Sequence, residues 1–189
     1  MIGNLIPGLI SLGVAPVTSS YESIATVTVG SGGSSSVTFS SISSDYSHLQ
    51  IRGIARSNQS VTAQELSITF NGVTSGYGRH TLYGTGTSAV ADARGYSDPA
   101  YYLQMITGAS AGSNTFGTVI MDILDYKNTN KFKTIRSLAG YDNNGSGYIF
   151  LNSTYFGSTN AISSMTIEPF GGYNFVQYTQ FALYGIKGA

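Results

Sequence analysis

Thr115 to Tyr155 reads TFGTVIMDILDYKNTNKFKTIRSLAGYDNNGSGYIFLNSTY, three apolar runs separated by two polar connections. The pattern predicts a three-stranded antiparallel meander. Its first run, Phe116 to Leu124, is apolar at nearly every position except Thr118 and Asp122, which predicts a strand buried on both faces or set deep in a sandwich. In the second run Phe132, Thr134, Arg136 and Leu138 share one face and Ile135, Ser137 and Ala139 the other, so neither face is purely apolar. In the third, Ile149 and Leu151 lie opposite Tyr148 and Phe150. The connection Asp142-Asn143-Asn144-Gly145-Ser146-Gly147 carries the strongest hairpin signal of the chain, because Asn-Gly accepts the positive φ values of a type I′ turn.

Upstream, alternation marks strands over 22–29, 37–39, 48–56 and 66–70, with a shorter candidate over 79–83. In the fourth of these Leu66, Ile68 and Phe70 face inward. Thr85 to Gly112 is rich in Gly, Ala and Ser, and predicts one strand inside a long loop. Downstream, 161–169 and 178–186 supply two more strands, and Pro169 sets the end of the first at an edge or a break. About eight to ten short strands with turn signals between them and no amphipathic helix predict an all-β sandwich.

Residues 1–20 differ from the rest. Ile2, Leu5, Ile6, Leu9, Ile10 and Leu12 are apolar at helix-like spacing, but Pro7 and the glycines oppose a stable helix. The stretch therefore reads as an N-terminal arm ahead of one sandwich domain over 21–189, either packed on that domain or docked on a neighbouring subunit through those six aliphatic side chains. It lacks a basic leading region and is too short to span a bilayer, so it predicts neither signal peptide nor membrane insertion.

A chain of 189 residues is long enough for a single core. Nine basic residues balance nine acidic ones, which removes the electrostatic basis for nucleic-acid binding. Charged residues make up only 10%, so much of the surface is expected to meet other protein. The absence of cysteine excludes disulfides and thiolate metal sites.

Chemistry-bearing residues are sparse. His48 lies in a strand on the side of Gln50 and Arg52 and reads as a structural or solvent-facing histidine. His80 follows Tyr77-Gly78-Arg79, a run that also fits a binding loop, but no glutamate or cysteine stands at ligand spacing. Asp142 opens a D-x-N-x-S-G segment like that of a calcium loop, yet Ser153 occupies the twelfth position, where a bidentate glutamate is needed. A glycosidase would need two carboxylates about 5 Å or about 6.5–9.5 Å apart. Asp122, Asp125 and Glu168 are available, but nothing in the sequence brings them together. Tyr101, Tyr102 and Tyr155 are available to stack on carbohydrate. No catalytic residue, cofactor site or metal site is assigned, and the chain is expected not to be an enzyme.

The segments YESIATVTVGSGGSSSVTFSSIS (21–43), SHLQIRGIAR (47–56), DILDYKNTNKFKTIRSLAGYDNNGSGYIFLNST (122–154) and NFVQYTQFALYGIKG (174–188) resemble a group of small virion proteins of tailed bacteriophages of aquatic bacteria. The resemblance implies a jelly-roll-like β-sandwich on the particle surface, serving as a capsid decoration or cement protein or in a tail fibre or tail tip. Ser43, where that group has a proline, and Tyr155-Phe156, where it often has a tryptophan, depart from the pattern, so no receptor site is carried over. The first expectation is a decoration protein that joins like copies in threes and binds the major capsid protein or other virion subunits. The alternative is a tail-fibre, tail-tip or receptor-binding module.

Overall fold

The computed structural model describes residues 19–98 and 101–188, and they form twelve strands and no helix. In chain order these are β1 (Tyr21–Thr28), β2 (Val37–Phe39), β3 (His48–Ala55), β4 (Ala63–Phe70), β5 (Tyr77–Gly84) and β6 (Ala89–Asp98). They continue with β7 (Tyr101–Thr107), β8 (Gly117–Leu124), β9 (Lys133–Asp142), β10 (Gly147–Phe156), β11 (Met165–Pro169) and β12 (Gln180–Ile186). The count exceeds the sequence expectation because the stretch read as a loop with one strand holds both β6 and β7. β6 escapes pattern reading for a physical reason. It is an edge strand on which Ala89 and Ala91 to Gly95 are exposed on either face, so burial imposes no alternation. The Tyr77-Gly78-Arg79-His80 run, which also fitted a binding loop, opens β5 instead. Of the proposed arm over residues 1–20, residues 1–18, with Ile2, Leu5, Ile6, Leu9, Ile10 and Leu12, lie outside the described residues.

Eight strands form one sheet in the order β1-β12-β3-β8-β9-β10-β5-β6, and four form a second in the order β2-β11-β4-β7. All ladders between them are antiparallel. Setting aside the hairpins β5–β6 and β9–β10 leaves two sets of four, β1-β12-β3-β8 and β2-β11-β4-β7. Successive strands of that frame alternate between the sheets in pairs: β1 meets β12, β2 meets β11, β3 meets β8 and β4 meets β7. The two hairpins extend the larger sheet beyond the smaller one.

Leu49 and Ile51 of β3, Val119 to Ile123 of β8 on alternate positions, and Ile135 of β9 point from the larger sheet into one core. Leu66, Ile68 and Phe70 of β4 and Met165 and Ile167 of β11 meet them from the smaller. Of the two readings of β8, burial on both faces fails, and a strand with one face in the core of two packed sheets is what forms. Val119, Met121 and Ile123 are buried, while Ile120 and Leu124 are 42% and 43% exposed, because only one side of this sheet is covered by the second layer. Pro169 closes β11 beyond the last residue paired with three-residue β2, so its missing N–H interrupts no ladder on that side. Across β3 and β12, Gly53 faces Phe181, whose ring would lie 2.4 Å from any Cβ added there.

The Asn-Gly turn forms as the sequence predicts: Asn144 and Gly145 take φ of 58° and 96°, and Asn143 N–H donates to Ser146 O at 2.6 Å. One inward position of β9 was not legible. Lys133 is 1% exposed, and its Nζ donates to the carbonyls of Asn128, Lys131 and Thr159 at 2.6, 3.2 and 3.1 Å. Burial holds its pKa below the ordinary lysine value, with the Lys131 charge adding to the shift.

Tyr77 closes the core beside Phe70 and Phe156, its ring stacked 4.8 Å from Phe156. Its hydroxyl accepts the Phe70 N–H at 3.0 Å and donates to Val73 O at 2.9 Å. Burial pushes this phenol up from 10.0 to about 12. An unfolded tyrosine ionises near pH 10 while the folded one stays protonated, so its stabilisation is complete below pH 10 and is lost towards pH 12. The difference corresponds to a few kcal/mol at most. Denaturant titrations across that range should show a fall in unfolding free energy that is visibly shallower in Tyr77→Phe.

Candidate interaction face and cleft

The register of the larger sheet sets its outward side chains in rows. Arg52 pairs with Ile120, Ile120 with Leu138, Leu138 with Leu151 and Leu151 with Leu82, so one row runs across five adjacent strands. Its four aliphatic members are 42%, 46%, 47% and 53% exposed in that order. Ile54 and Ile149 stand in the row beside it and Phe132 and Tyr155 beyond its other flank, all exposed. Side chains of this kind on one flat face form an apolar patch of the sort that marks a protein contact. One polar row borders it, Gln50, Asp122, Arg136, Ser153 and His80, in which Gln50 Nε2 donates to Asp122 Oδ1 at 2.7 Å. Near the β1 edge, the Tyr21 and Tyr184 rings stack at 4.9 Å and the Arg52 guanidinium lies 5.4 and 5.6 Å from their centroids.

The inward side of the overhanging strands is different. Three rows cross β9, β10, β5 and β6: Ala139-Phe150-Tyr83-Val90, Ser137-Asn152-Thr81-Asp92 and Ile135-Thr154-Arg79-Arg94. An aromatic row and an arginine row thus flank a polar one. The Tyr83 ring stacks on Phe150 at 5.1 Å, Tyr148 stacks on Phe150 at 5.6 Å, and Thr81 Oγ1 donates to Asn152 Oδ1. Asp92 lies 3.7 Å from Arg79 Nη2 and 3.8 Å from Arg94 Nε. The smaller sheet adds Glu65 and Met105, paired across β4 and β7. With Tyr148 and with Phe150, Tyr83, Asn152, Thr81, Asp92, Arg79 and Arg94 from the three rows, they line a cleft of about 300 Å³.

The residues weighed from sequence lie elsewhere. His48 Nδ1 accepts the Asp125 N–H at 2.9 Å, a bond that fixes the turn after β8. His80 is exposed on the outer face of β5. Asp142 Oδ1 accepts the Gly145 N–H at 3.3 Å within its hairpin. Among the described residues no three His, Cys, Asp or Glu side chains are grouped to hold a metal ion. The carboxylates weighed for glycoside hydrolysis are separated: Asp122 is on the outer face of the larger sheet and Asp125 in the turn after it, hydrogen-bonded by Lys131, which holds its carboxyl below the usual range. Glu168 is on β11 of the other sheet, bonded to Ser67. Tyr155 stands on the outer face beside Phe132, at 5.3 Å between ring centroids, rather than in the cleft. The side chains of Tyr101 and Tyr102 lie outside the described residues.

Sequence reading missed the cleft, although the alternation of Arg79, Thr81 and Tyr83 already put them on one face. What it lacked was the neighbour, since nothing in sequence pairs β5 with β10. Comparison with protein-family models, with curated proteins and with solved structures finds no match to this chain.

Proposed function

We propose that the protein is a non-enzymatic structural component of a bacteriophage virion, a decoration or cement protein at the particle surface that joins copies of itself in threes and braces neighbouring capsid subunits. The aliphatic row on the outer face of the larger sheet carries this reading. Four half-exposed aliphatic side chains on adjacent strands, in a chain with only 10% charged residues, suit a permanent contact better than free existence in water. The two four-strand sets, β1-β12-β3-β8 and β2-β11-β4-β7, support reading the frame as a jelly roll, an architecture common to viral capsid domains. We assign the row's occupant to the apolar arm of a neighbouring copy, residues Ile2 to Leu12. Eighteen residues precede Ser19, and an extended chain spans up to about 3.5 Å per residue, enough to cross onto an adjoining subunit.

The test uses purified particles. Leu138→Asp with Leu151→Asp alters only half-exposed positions, so the isolated protein should keep its melting temperature within a few degrees while losing self-association and incorporation. Deletion of residues 1–18 should do the same. Incorporation of both variants at the normal level would overturn the proposal. Copy number then fixes location: a decoration protein follows the capsid lattice, on the order of hundreds of copies, whereas a tail component follows a closed ring of about six or a small multiple.

A further inference from the structure

We propose that the cleft beneath the β10-β5-β6 overhang is a binding site for a neutral saccharide of one or two rings. The inference stands apart from the virion reading, since it uses none of the outer-face residues. Its volume of about 300 Å³ is at the lower end of the range for small-molecule sites. Three features select the ligand class. Tyr83 and Tyr148 are only half-buried while they pack around Phe150, so flat apolar surface remains beside the polar row, as the C–H face of a pyranose requires. Planar polar groups converge next to those rings. Asp92 and Glu65 accept two hydrogen bonds each in a fixed plane, Arg79 and Arg94 donate in one, and the pairing of such donors and acceptors matches vicinal hydroxyls, which do both.

Charge makes the last distinction. Two arginines against two carboxylates leave the lining formally neutral, and the arginines already face Asp92 at 3.7 and 3.8 Å. An anionic sugar or a phosphate would meet Asp92 and Glu65 as like charges, whereas a neutral polyol meets no such penalty. Burial also separates the roles within the site. Asn152 and Thr81 are buried and bonded to each other as a fixed floor, while Asp92 and Arg94 on the edge strand are exposed.

The experiment is saturation-transfer difference NMR on the full chain with glucose, galactose, mannose, maltose and lactose as neutral probes and N-acetylneuraminic acid as the anionic one. At least one neutral sugar should show transfer to its ring protons. Binding should weaken by about tenfold or more in Tyr148→Ala and in Asp92→Ala, the second chosen because an exposed edge position does not threaten folding. Three results would each overturn the proposal: no transfer to any neutral sugar, transfer that survives Asp92→Ala unchanged, or transfer to the anionic sugar alone.

Discussion

Ile68→Asp is expected to abolish cooperative folding, and Thr69→Asp to leave a folded protein. Ile68 is fully buried in β4, paired with Ile167 of β11 on one side and Tyr101 of β7 on the other. Substitution forfeits about 1.5–3 kcal/mol of apolar burial and places an unpaired carboxylate in the core at a further cost of several kcal/mol. The sum reaches the whole stability of a typical domain, about 5–15 kcal/mol. Thr69 points the other way, half-buried opposite Thr166, so its substitution should cost about 1 kcal/mol. Thermal unfolding followed by near-ultraviolet circular dichroism distinguishes the two. A cooperative melt for Ile68→Asp close to that of the parent protein would show the two-sheet core to be wrongly assigned. Ile68→Val, at about 0.5–1.5 kcal/mol, provides the graded control.

Arg56 yields the second large effect. It follows β3, and its guanidinium is held by four main-chain oxygens: Nη1 donates to Gly112 and Thr115 at 2.7 and 2.9 Å, and Nη2 to Ala109 and Ala111 at 3.1 and 3.0 Å. One side chain therefore shapes the whole connection from β7 to β8. Arg56→Ala removes two part-buried bonds and lets water reach the carbonyls of Gly112 and Ala109, in exposed residues; the Thr115 carbonyl keeps the Thr107 hydroxyl at 2.7 Å, and that of Ala111 loses its donor. Two charge-assisted bonds at about 1.5 kcal/mol or more each set an expected loss of about 3 kcal/mol, or a melting temperature lower by about 6–12 °C. Arg56→Lys should recover less than half of that, because an ammonium cannot reproduce the planar fork. Hydrogen exchange should quicken at 109–115 in both variants. A loss below about 1 kcal/mol for Arg56→Ala would mean the connection holds its shape without the guanidinium.

These two residues also mark the limits of reading from sequence. Ile68 was legible because Leu66, Ile68 and Phe70 alternate with polar neighbours under a one-sided burden of burial. Arg56 was legible only as the end of a strand, since its carbonyl partners lie more than fifty positions away and main-chain acceptors leave no trace in residue type. The same reasoning separates β8 to β10, legible as a meander with a tight turn between β9 and β10, from β6, where residues exposed on either face carry no period. The outer aliphatic row falls between these cases. Its members were visible one strand at a time, but Leu138, Leu151 and Leu82 become a surface only once the register aligns them, and residue composition could not tell their face from the core face of β9.

The pairing of β1 with β12 has a bearing on how the chain is made. β1 has β12 as its ladder neighbour in the larger sheet, and β2 has β11 in the smaller, so the first strands to leave a ribosome wait for the last. Until residues 180–186 emerge, Ala25 and Val27 have no native strand beside them, and closure must then span almost the whole polypeptide. Folding of such non-local topology is slow, on the order of milliseconds to seconds. The meander can nucleate early, but the larger sheet gains its β1 edge only after translation has passed residue 186. A stop a few codons short of that point would remove the end of one strand and leave part of another, laid down at the start of synthesis, with nothing to pair with.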